Sequence, residues 1–214
     1  MTTLDIYSDP SCPWCFIGKA NLDRAMEAEA DHPFVINYRA FVVNPSVRQG
    51  VPYGEYMELK LGGREKVVEH AVKVQEHAAA AGIEINFDKI KTVQNTLDAQ
   101  RLIHWARVEG LQSAAVSQLF KRYFQLGQDI SDPEVLIDLA DNIGMQADLV
   151  RKLLAGEADK TELLEEIQAA GHMGITGAPC YIVGKTYVVN GAQTTEMWRE
   201  VIRDINAAAA KMGG

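Results

Sequence analysis

The 214-residue sequence predicts an α/β fold in which two mixed units flank a long, all-helical insertion. Three observations support this. A strand, a helix and a second strand follow one another within residues 4–43. The segment that follows, to about residue 170, carries apolar side chains at helical spacing. Residues 180–206 then return to a hairpin and a helix. We therefore expect a β-α-β half (1–45), a helical insertion (46–160) and a β-β-α half (161–214).

The N-terminal half is predicted to be a β-α-β unit. Residues 4–7 are typical of a strand, and Ser8-Asp9-Pro10-Ser11 is typical of a turn. Apolar residues at i, i+3 and i+4 predict a helix from Pro13 to about Ala30. Residues 34–43, rich in β-branched and aromatic side chains, predict a second strand. A crossover of this kind predicts that the two strands are parallel.

Six helices are predicted between the second strand and the hairpin, five of them within the insertion and the sixth just after it. Several are closed by a glycine, such as Gly82, Gly110 and Gly144. The best-marked start is Ser131-Asp132-Pro133-Glu134, which combines a capping residue, a proline at the first position and a capping-box glutamate. The helices are expected near residues 67–78, 99–106, 116–123, 136–143, 150–154 and 162–170.

The C-terminal half is predicted to open with a hairpin. Residues 180–183 and 186–189 flank Gly184-Lys185, a two-residue turn signal. Thr194 is placed to cap a final helix, in which Trp198 and the following apolar residues are in phase.

Composition excludes several classes of protein. Hydrophobic residues make up 47% of the chain, which is ample for a packed core, and the net charge is −8. The absence of a basic stripe argues against nucleic acid and anionic membranes as partners. No run approaches about 18 apolar residues, and the N-terminus has no signal-peptide pattern. With only three cysteines, we expect a cytoplasmic protein and not a secreted disulfide scaffold. Its oligomeric state is left open between monomer and homodimer.

The four residues Cys12-Pro13-Trp14-Cys15 carry the main chemical signal. A Cys-x-x-Cys between a strand and a helix is typical of thiol–disulfide chemistry. At the helix N-terminus, free N–H groups and the helix dipole stabilise a thiolate, which makes Cys12 the attacking group. Cys15, one turn further on, is expected to be more buried and to resolve the mixed disulfide. Pro13 suits the first turn, and Trp14 is expected to offer an exposed apolar contact.

Two other interpretations of this pair stay open. A zinc site needs about four ligands, so Cys180 and a histidine would have to complete it. That would make the protein a metal-binding scaffold. An inert buried pair is the second alternative. The strand–turn–helix context favours the redox interpretation, with no metal and no cofactor beyond the dithiol.

Four blocks of sequence, together with the order of elements, match a known group of proteins. The order resembles the thioredoxin fold, and the helical insertion resembles its DsbA-like branch. The pattern is most similar to the FrnE-type oxidoreductases, which are related to the 2-hydroxychromene-2-carboxylate isomerases and kappa-class glutathione transferases. The blocks are Ser8-Asp9-x-x-Cys12-Pro13-Trp14-Cys15-Phe16-Ile17-Gly18-Lys19, Asn95-Thr96-Leu97-Asp98-Ala99-Gln100-Arg101-Leu102, Gly174-Ile175-Thr176-Gly177-Ala178-Pro179 and Val189-Asn190-Gly191-Ala192-Gln193.

The resemblance implies a function and a substrate site. Catalytic residues would be Cys12 and Cys15, and Pro179 would be a cis-proline opposite them. Ala178 would offer backbone groups to an extended substrate, next to Pro13 and Trp14. The implied activity is cytoplasmic thiol–disulfide exchange with a protein or a small thiol, with glutathione as a possible co-substrate. The alternative is a glutathione-dependent isomerase or transferase acting on a small aromatic molecule.

Several residues depart from the family pattern. The buried acid that thioredoxin-like proteins often carry is replaced by Ile6, and Asp5 is expected to face the opposite side of the sheet. Cys180 is either a third active thiol or a small buried strand residue, and the second is favoured.

Two further positions invite a functional interpretation. Asn95, Asp98 and Arg101 either line a groove above the cysteines or form a helix cap and a solvated face. His172 is expected to be a helix C-terminal residue and not a catalyst.

Overall fold

The computed structural model describes residues 1–45 and 50–212, and within them one four-stranded sheet is formed. Its strands are β1 (Thr2–Ser8), β2 (Phe34–Ala40), β3 (Cys180–Val183) and β4 (Tyr187–Asn190), in the spatial order β2-β1-β3-β4. β1 and β2 are parallel, as predicted, and the other two pairings are antiparallel. Gly184 and Lys185 both have positive φ in the β3–β4 turn, which confirms the hairpin.

The described residues also form nine α-helices, and the six predicted between the second strand and the hairpin correspond to α3–α8. The helix α2 was not predicted. The helices are α1 (Pro13–Ala28), α2 (Tyr53–Leu61), α3 (Arg64–Ala80), α4 (Leu97–Val108), α5 (Gln112–Phe120), α6 (Pro133–Asn142), α7 (Ala147–Ala155), α8 (Lys160–His172) and α9 (Thr195–Met212). A π-helical segment, Lys121–Leu126, continues α5.

The two faces of the sheet are covered by different helices. On one face, Leu4 and Ile6 of β1 belong to the main core with α1 and α9. Trp198 of α9 is fully buried there, with its ring 4.8 Å from that of Tyr181. Tyr7 and Cys180 lie in a second cluster with Ala170 at the end of α8. Alternate residues of β1 therefore bury into separate clusters, as the pleat of a strand requires.

Side chains of the helical insertion fasten it to the sheet. Phe16, next to Cys15, stacks on Phe120 with the ring centroids 5.1 Å apart. Gln112 accepts from the backbone N–H of Tyr38 (2.8 Å) and donates to its carbonyl (2.9 Å), which pairs an otherwise open edge of β2. Gln100 donates to the carbonyls of Ser8 and Phe41, at 2.8 and 2.9 Å. The ends of β1 and β2 are thus held by the insertion.

Two predictions about element ends were wrong. The second strand ends at Ala40 and not at Val43, because the next polar backbone groups pair with side chains: Phe41 O with Gln100 and Val43 N with Asp9. At α6, the predicted cap and the proline at the first position are confirmed, since Asp132 is the N-cap and accepts from Glu134 N. The capping-box role of Glu134 was wrong, because its carboxylate pairs with Arg151. Glu134 therefore forms an ion pair that links α6 to α7. The three-part division of the chain stays a prediction, and its first boundary, at 45/46, adjoins residues outside the described part.

Candidate active site

The first cysteine lies at the head of α1, where the strand–turn–helix pattern predicts it. Cys12 is the N-cap of α1 in an extended conformation, and Pro13 occupies the first helical position. The carbonyl of Cys12 accepts from the N–H groups of Cys15 and Phe16, at 3.1 and 3.3 Å. The side chain of Cys12 therefore leaves the helix at its positive end, where a negative charge is stabilised.

Both cysteines of the pair are present as thiols with little exposed surface, 6% for Cys12 and 2% for Cys15. The Cys12 thiol donates to the carbonyl of Ala178 at 3.4 Å. Burial raises the pKa of the Cys15 thiol well above its ordinary value, and its hydrogen bond and charge interaction with Cys12 raise it further. In the dithiol state the proton is therefore retained on Cys15, and Cys12 is the thiol that borders the cleft described below.

Asp9 organises the turn that carries Cys12, and no sequence pattern identified this role. Its carboxylate accepts from the backbone N–H and the hydroxyl of Ser11, both at 2.8 Å, and from the N–H of Val43 at 2.7 Å. The carbonyl of Asp9 accepts from Cys12 N at 3.0 Å. Burial raises the pKa of the Asp9 carboxyl, against the lowering effect of these hydrogen bonds. Asp9 thus ties the cysteine turn to the segment that follows β2.

The variant Asp9→Asn is expected to lose about 1–3 kcal/mol of unfolding free energy near pH 4, because an amide cannot accept from all three donors. In the wild type, the raised pKa stabilises the folded state below the ordinary pKa of 3.8, and this contribution is lost as the pH rises through the folded-state pKa. The stability gap between wild type and variant should therefore narrow toward pH 7. Urea titrations at both pH values measure it, and a gap that widens with pH would contradict this role of Asp9.

A loop before β3 faces the cysteine pair. Its Ala178–Pro179 peptide bond is cis, and the Pro179 carbonyl accepts from Gly191 N at 2.8 Å. Gly18 of α1 packs directly on this loop. A Cβ at Gly18 would lie 3.3 Å from Pro179 Cγ and 2.3 Å from the buried Tyr181 hydroxyl. The missing side chain at Gly18 allows α1 to pack this close to Pro179.

Trp14 is half-buried, which corrects the prediction of an exposed contact. The cause is α3, which lies across it. The Trp14 ring packs edge-on to His70 and His77, at 6.3 and 5.2 Å between centroids. The ammonium group of Lys73 lies 6.0 Å from the ring centroid. Trp14 therefore joins the cysteine turn to the helical insertion.

A cleft of about 770 Å³ opens beside Cys12. This volume is within the range of small-molecule and peptide sites. The loop after β2, residues 175–178 and the unpredicted helix α2 form its walls. From α2 come Tyr53, Tyr56 and Lys60. Burial raises the pKa of Tyr53, and the nearby Cys12 raises it further, so this phenol stays protonated beside the thiol.

Two sequence signals at α2 conflict, which explains why it was missed. Tyr53, Tyr56 and Met57 follow the i, i+3, i+4 spacing that indicates a helix. Gly54 in the first turn and the high charge of the segment act against that signal, and Met57 is the one buried residue of the helix.

The structure shows where the residues that differ from the family pattern lie. Ile6 is buried in the main core, and Asp5 faces the other side of the sheet, where it pairs with Arg39 at 3.0 Å. Cys180 lies in the second cluster, away from the core that holds Cys12 and Cys15. This position supports the interpretation of Cys180 as a small buried strand residue. His172 is the last residue of α8, as predicted, and its side chain is exposed.

Asn95, Asp98 and Arg101, the polar residues at the start of α4, do not line the cleft. Arg101 is 2% exposed and donates to three backbone carbonyls around the α7–α8 connection, those of Leu153, Gly156 and Ala158. Its fourth partner is Asp98, at 2.8 Å. Asn95 accepts from Leu97 N at 2.9 Å, as a residue at a helix start does. The interpretation of these residues as a groove above the cysteines is therefore wrong.

The cysteines are not grouped with other metal-ligating side chains in the described part of the chain. The one cluster of at least three such side chains there is His104, Asp159 and Glu162, which contains no cysteine. In the same residues, no helix is long and apolar enough to span a membrane.

The fold and the dithiol site define a class, and the chain belongs to it: residues 3–203 match the family of DSBA-like thioredoxin domains. This is a family of thiol oxidoreductases. The family assignment suggested by the sequence motifs is confirmed, and so is the thioredoxin fold.

Individual relatives span nearly the whole chain. Protein YwbO of Bacillus subtilis is 25% identical over 212 residues, covering 94% of this chain and 96% of its own. The structure of a probable DsbA oxidoreductase, SCO1869 from Streptomyces coelicolor, is 26% identical with a TM-score of 0.84, covering 95% of this chain and 89% of that one. A 2-hydroxychromene-2-carboxylate isomerase shares the fold at 17% identity, with a TM-score of 0.74 and 98% of each chain covered.

Proposed function

We propose that the protein is a thiol–disulfide oxidoreductase that uses Cys12 and Cys15 as a dithiol–disulfide couple. The observation that carries the proposal is the position of the Cys12 thiol. It lies at the N-terminus of α1, borders a cleft large enough for a substrate, and has Cys15 one helical turn away. The residues proposed to contact the substrate are Pro13, Trp14, Ala178 and Pro179.

The geometry supports the following sequence of steps. The Cys12 thiolate attacks one sulfur of a substrate disulfide, and the other sulfur leaves as a thiolate. Cys15 loses its proton and attacks the Cys12 sulfur, which releases the second substrate thiolate and forms the Cys12–Cys15 disulfide. The substrate gains two electrons and the protein loses two. In the reverse direction, the same steps transfer two electrons from a substrate dithiol to the Cys12–Cys15 disulfide and so oxidise the substrate.

The carbonyl of Ala178 has a specific place in these steps. It accepts from the Cys12 thiol at 3.4 Å, in a loop that also forms one wall of the cleft. An extended substrate that approaches Cys12 reaches this backbone first. Recognition through backbone groups suits substrates of varied sequence, whether they are proteins or small thiols.

The proposed compartment is the cytoplasm, which the presence of only three cysteines supports. The redox group is the dithiol itself, with glutathione as a co-substrate. The midpoint potential of the Cys12–Cys15 couple decides the direction of electron transfer. A value of about −270 mV indicates a reductase, and a value of about −120 mV indicates an oxidase.

One experiment tests the activity itself. Reduced protein is mixed with excess 2-hydroxyethyl disulfide, and small thiols released and protein thiols lost are counted over time. We expect two protein thiols to be lost, Cys12 and Cys15, for every two small thiols released. A protein that loses no thiols, or loses them only at the uncatalysed rate of a free cysteine, is not an oxidoreductase of this kind.

A glutathione-dependent isomerase or transferase is the second candidate, because aromatic side chains line the cleft next to Cys12. These are Trp14, Phe41, Tyr53, Tyr56 and Tyr123. This function requires Cys12 to contact the thiol of glutathione, and it does not require Cys15 to resolve a mixed disulfide. It predicts saturable binding of glutathione and turnover of a small aromatic substrate. The Cys15→Ser variant should retain that turnover, whereas it should lose multiple-turnover disulfide exchange.

A further inference from the structure

Among the described residues, none that lines the cleft beside Cys12 carries a carboxylate, although the chain is acidic. The protein has 29 Asp and Glu residues and a net charge of −8. None of these acids is among the described residues that line the cleft, whereas Lys60 and His70 are. The described lining of this cleft therefore carries positive charge and no negative charge, in a protein whose net charge is negative.

The helix α3 extends this pattern along one stripe. The residues that contact Trp14 are His70, Lys73 and His77, at i, i+3 and i+7, and all three are bases. Residues at this spacing share one face of a helix. The glutamates of α3 at positions 65, 69 and 76 are exposed, and the ion pairs of the described residues include none between these glutamates and Lys73. We use the term basic rim for Lys60, His70, Lys73 and His77.

The described partners of Lys60 leave its charge uncompensated. Its ammonium group donates to Asn44 Oδ1 at 2.8 Å and lies 5.5 Å from the centroid of the Tyr56 ring. The Tyr56 hydroxyl donates to the same Asn44 oxygen. These partners are neutral, so they orient the ammonium group without cancelling it. Burial lowers the pKa of His70, and the positive charges of Lys60 and Lys73 lower it further, so at neutral pH His70 contributes a polar imidazole to the rim and not a positive charge.

We propose that the cleft selects anionic disulfides, in which a carboxylate close to the reacting sulfur is attracted by the basic rim while that sulfur contacts Cys12. This inference rests on the proposed function and names its substrate class. The cleft volume of about 770 Å³ and its apolar residues, such as Met57, Val93 and Ile175, accommodate the carbon chain that joins the sulfur to the carboxylate. A small organic acid and an acidic peptide both offer this chemistry.

The reaction is the exchange described above. Cys12 and one substrate sulfur form a mixed disulfide, and a carboxylate-bearing thiolate leaves. Cys15 then displaces the second such thiolate. In a single turnover the protein dithiol supplies both electrons, and in repeated turnover a thiol reductant restores it.

Three disulfides with the same two-carbon arms separate charge from size: 3,3′-dithiodipropionate (dianion), 2-hydroxyethyl disulfide (neutral) and cystamine (dication). Single-turnover rate constants are measured with fully reduced protein at low ionic strength. Intrinsic leaving-group differences cancel when the anion-to-cation rate ratio of a variant is divided by that of the wild type. A second arm uses disulfide-linked Asp-Cys-Asp and Lys-Cys-Lys peptides.

For Lys60→Gln/Lys73→Gln, we expect the anion-to-cation ratio to fall at least about threefold, since each removed charge both attracted the anion and repelled the cation. The control Lys121→Gln/Lys152→Gln changes the net charge equally at exposed positions outside the cleft, and should leave the ratio unchanged. The wild-type preference should also shrink as salt is raised from about 0.05 to 0.5 M.

The outcomes are distinguishable. A lowered ratio for the small disulfides alone supports a small organic acid as the substrate, and a lowered ratio in both arms supports acidic peptides as well. An unchanged ratio, or an equal fall in the control, overturns the inference while exchange itself continues. Failure of all three disulfides to react with Cys12 overturns the proposed function.

Discussion

Replacing Cys12 with serine is expected to reduce disulfide exchange by about 10³-fold or more, because a hydroxyl is a far weaker nucleophile than a thiolate. In the Cys15→Ser variant, disulfide exchange is expected to stop after the first step, at the mixed disulfide. Its Cys12 should still attack, and the mixed disulfide should accumulate because the resolving thiol is absent. Mass spectrometry of the intact protein should show one added substrate thiol on Cys15→Ser and none on Cys12→Ser.

The matched control is Cys180→Ser. This residue is 1% exposed and lies in the second cluster, with Tyr7 and Ala170. Exchange at the wild-type rate is expected for it, even if stability drops. Full activity of Cys12→Ser, or a mixed disulfide found on Cys180, would contradict the assigned roles.

Removing the guanidinium of Arg101 is expected to have the largest effect on stability. Arg101→Met should lower the free energy of unfolding by about 3–5 kcal/mol, because three backbone carbonyls and Asp98 lose the buried guanidinium that donates to all of them. The guanidinium also lies 5.0 Å from the Trp105 ring centroid. Denaturant titration at pH 7 measures the loss.

Arg107→Met is the control for this prediction, since Arg107 is exposed on the same helix, α4. It should change stability by less than about 0.5 kcal/mol. Folded Arg101→Met should retain wild-type exchange, because Arg101 lies outside the cleft. A loss below about 1 kcal/mol would contradict its structural role, and a specific loss of exchange in the folded variant would restore the interpretation of Arg101 as a cleft residue.

Sequence patterns predicted the parts of the fold that depend on local chemistry. The N-terminal position of Cys12 on α1 follows from a turn-forming run before a proline and a helical repeat. The cap of α9 is of the same kind, with Thr194 Oγ1 accepting from Met197 N at 3.2 Å. The hairpin turn required two residues that tolerate positive φ, and Gly184-Lys185 supplied them.

The sequence did not predict the features that depend on contacts between distant segments. Strand β2 stops early because Gln100 and Asp9 take the backbone groups that would have continued it. Trp14 is covered because α3 crosses it, and no spacing within residues 12–15 contains that information. Arg101 appears in a motif with polar neighbours, yet its partners are carbonyls more than fifty residues away. A buried arginine and a surface arginine have the same local pattern.

The candidate site shows the same division. The two cysteines and Pro179 were identifiable from motifs, whereas the cleft walls were not. Tyr53, Tyr56 and Lys60 come from α2, where Gly54 and the surrounding charges mask a helical spacing that is present in the sequence. Asp9 belongs to a matched sequence block, but its three buried hydrogen bonds involve a partner 34 residues away as well as its neighbour Ser11.

The most direct test of the dithiol–disulfide couple is a redox titration in which the state of each cysteine is read by alkylation and mass spectrometry. We predict a single two-electron transition, in which Cys12 and Cys15 are protected from alkylation together and Cys180 remains a thiol at every potential. Free Cys12 and Cys15 across the whole range of potentials, or a disulfide that includes Cys180, would contradict this.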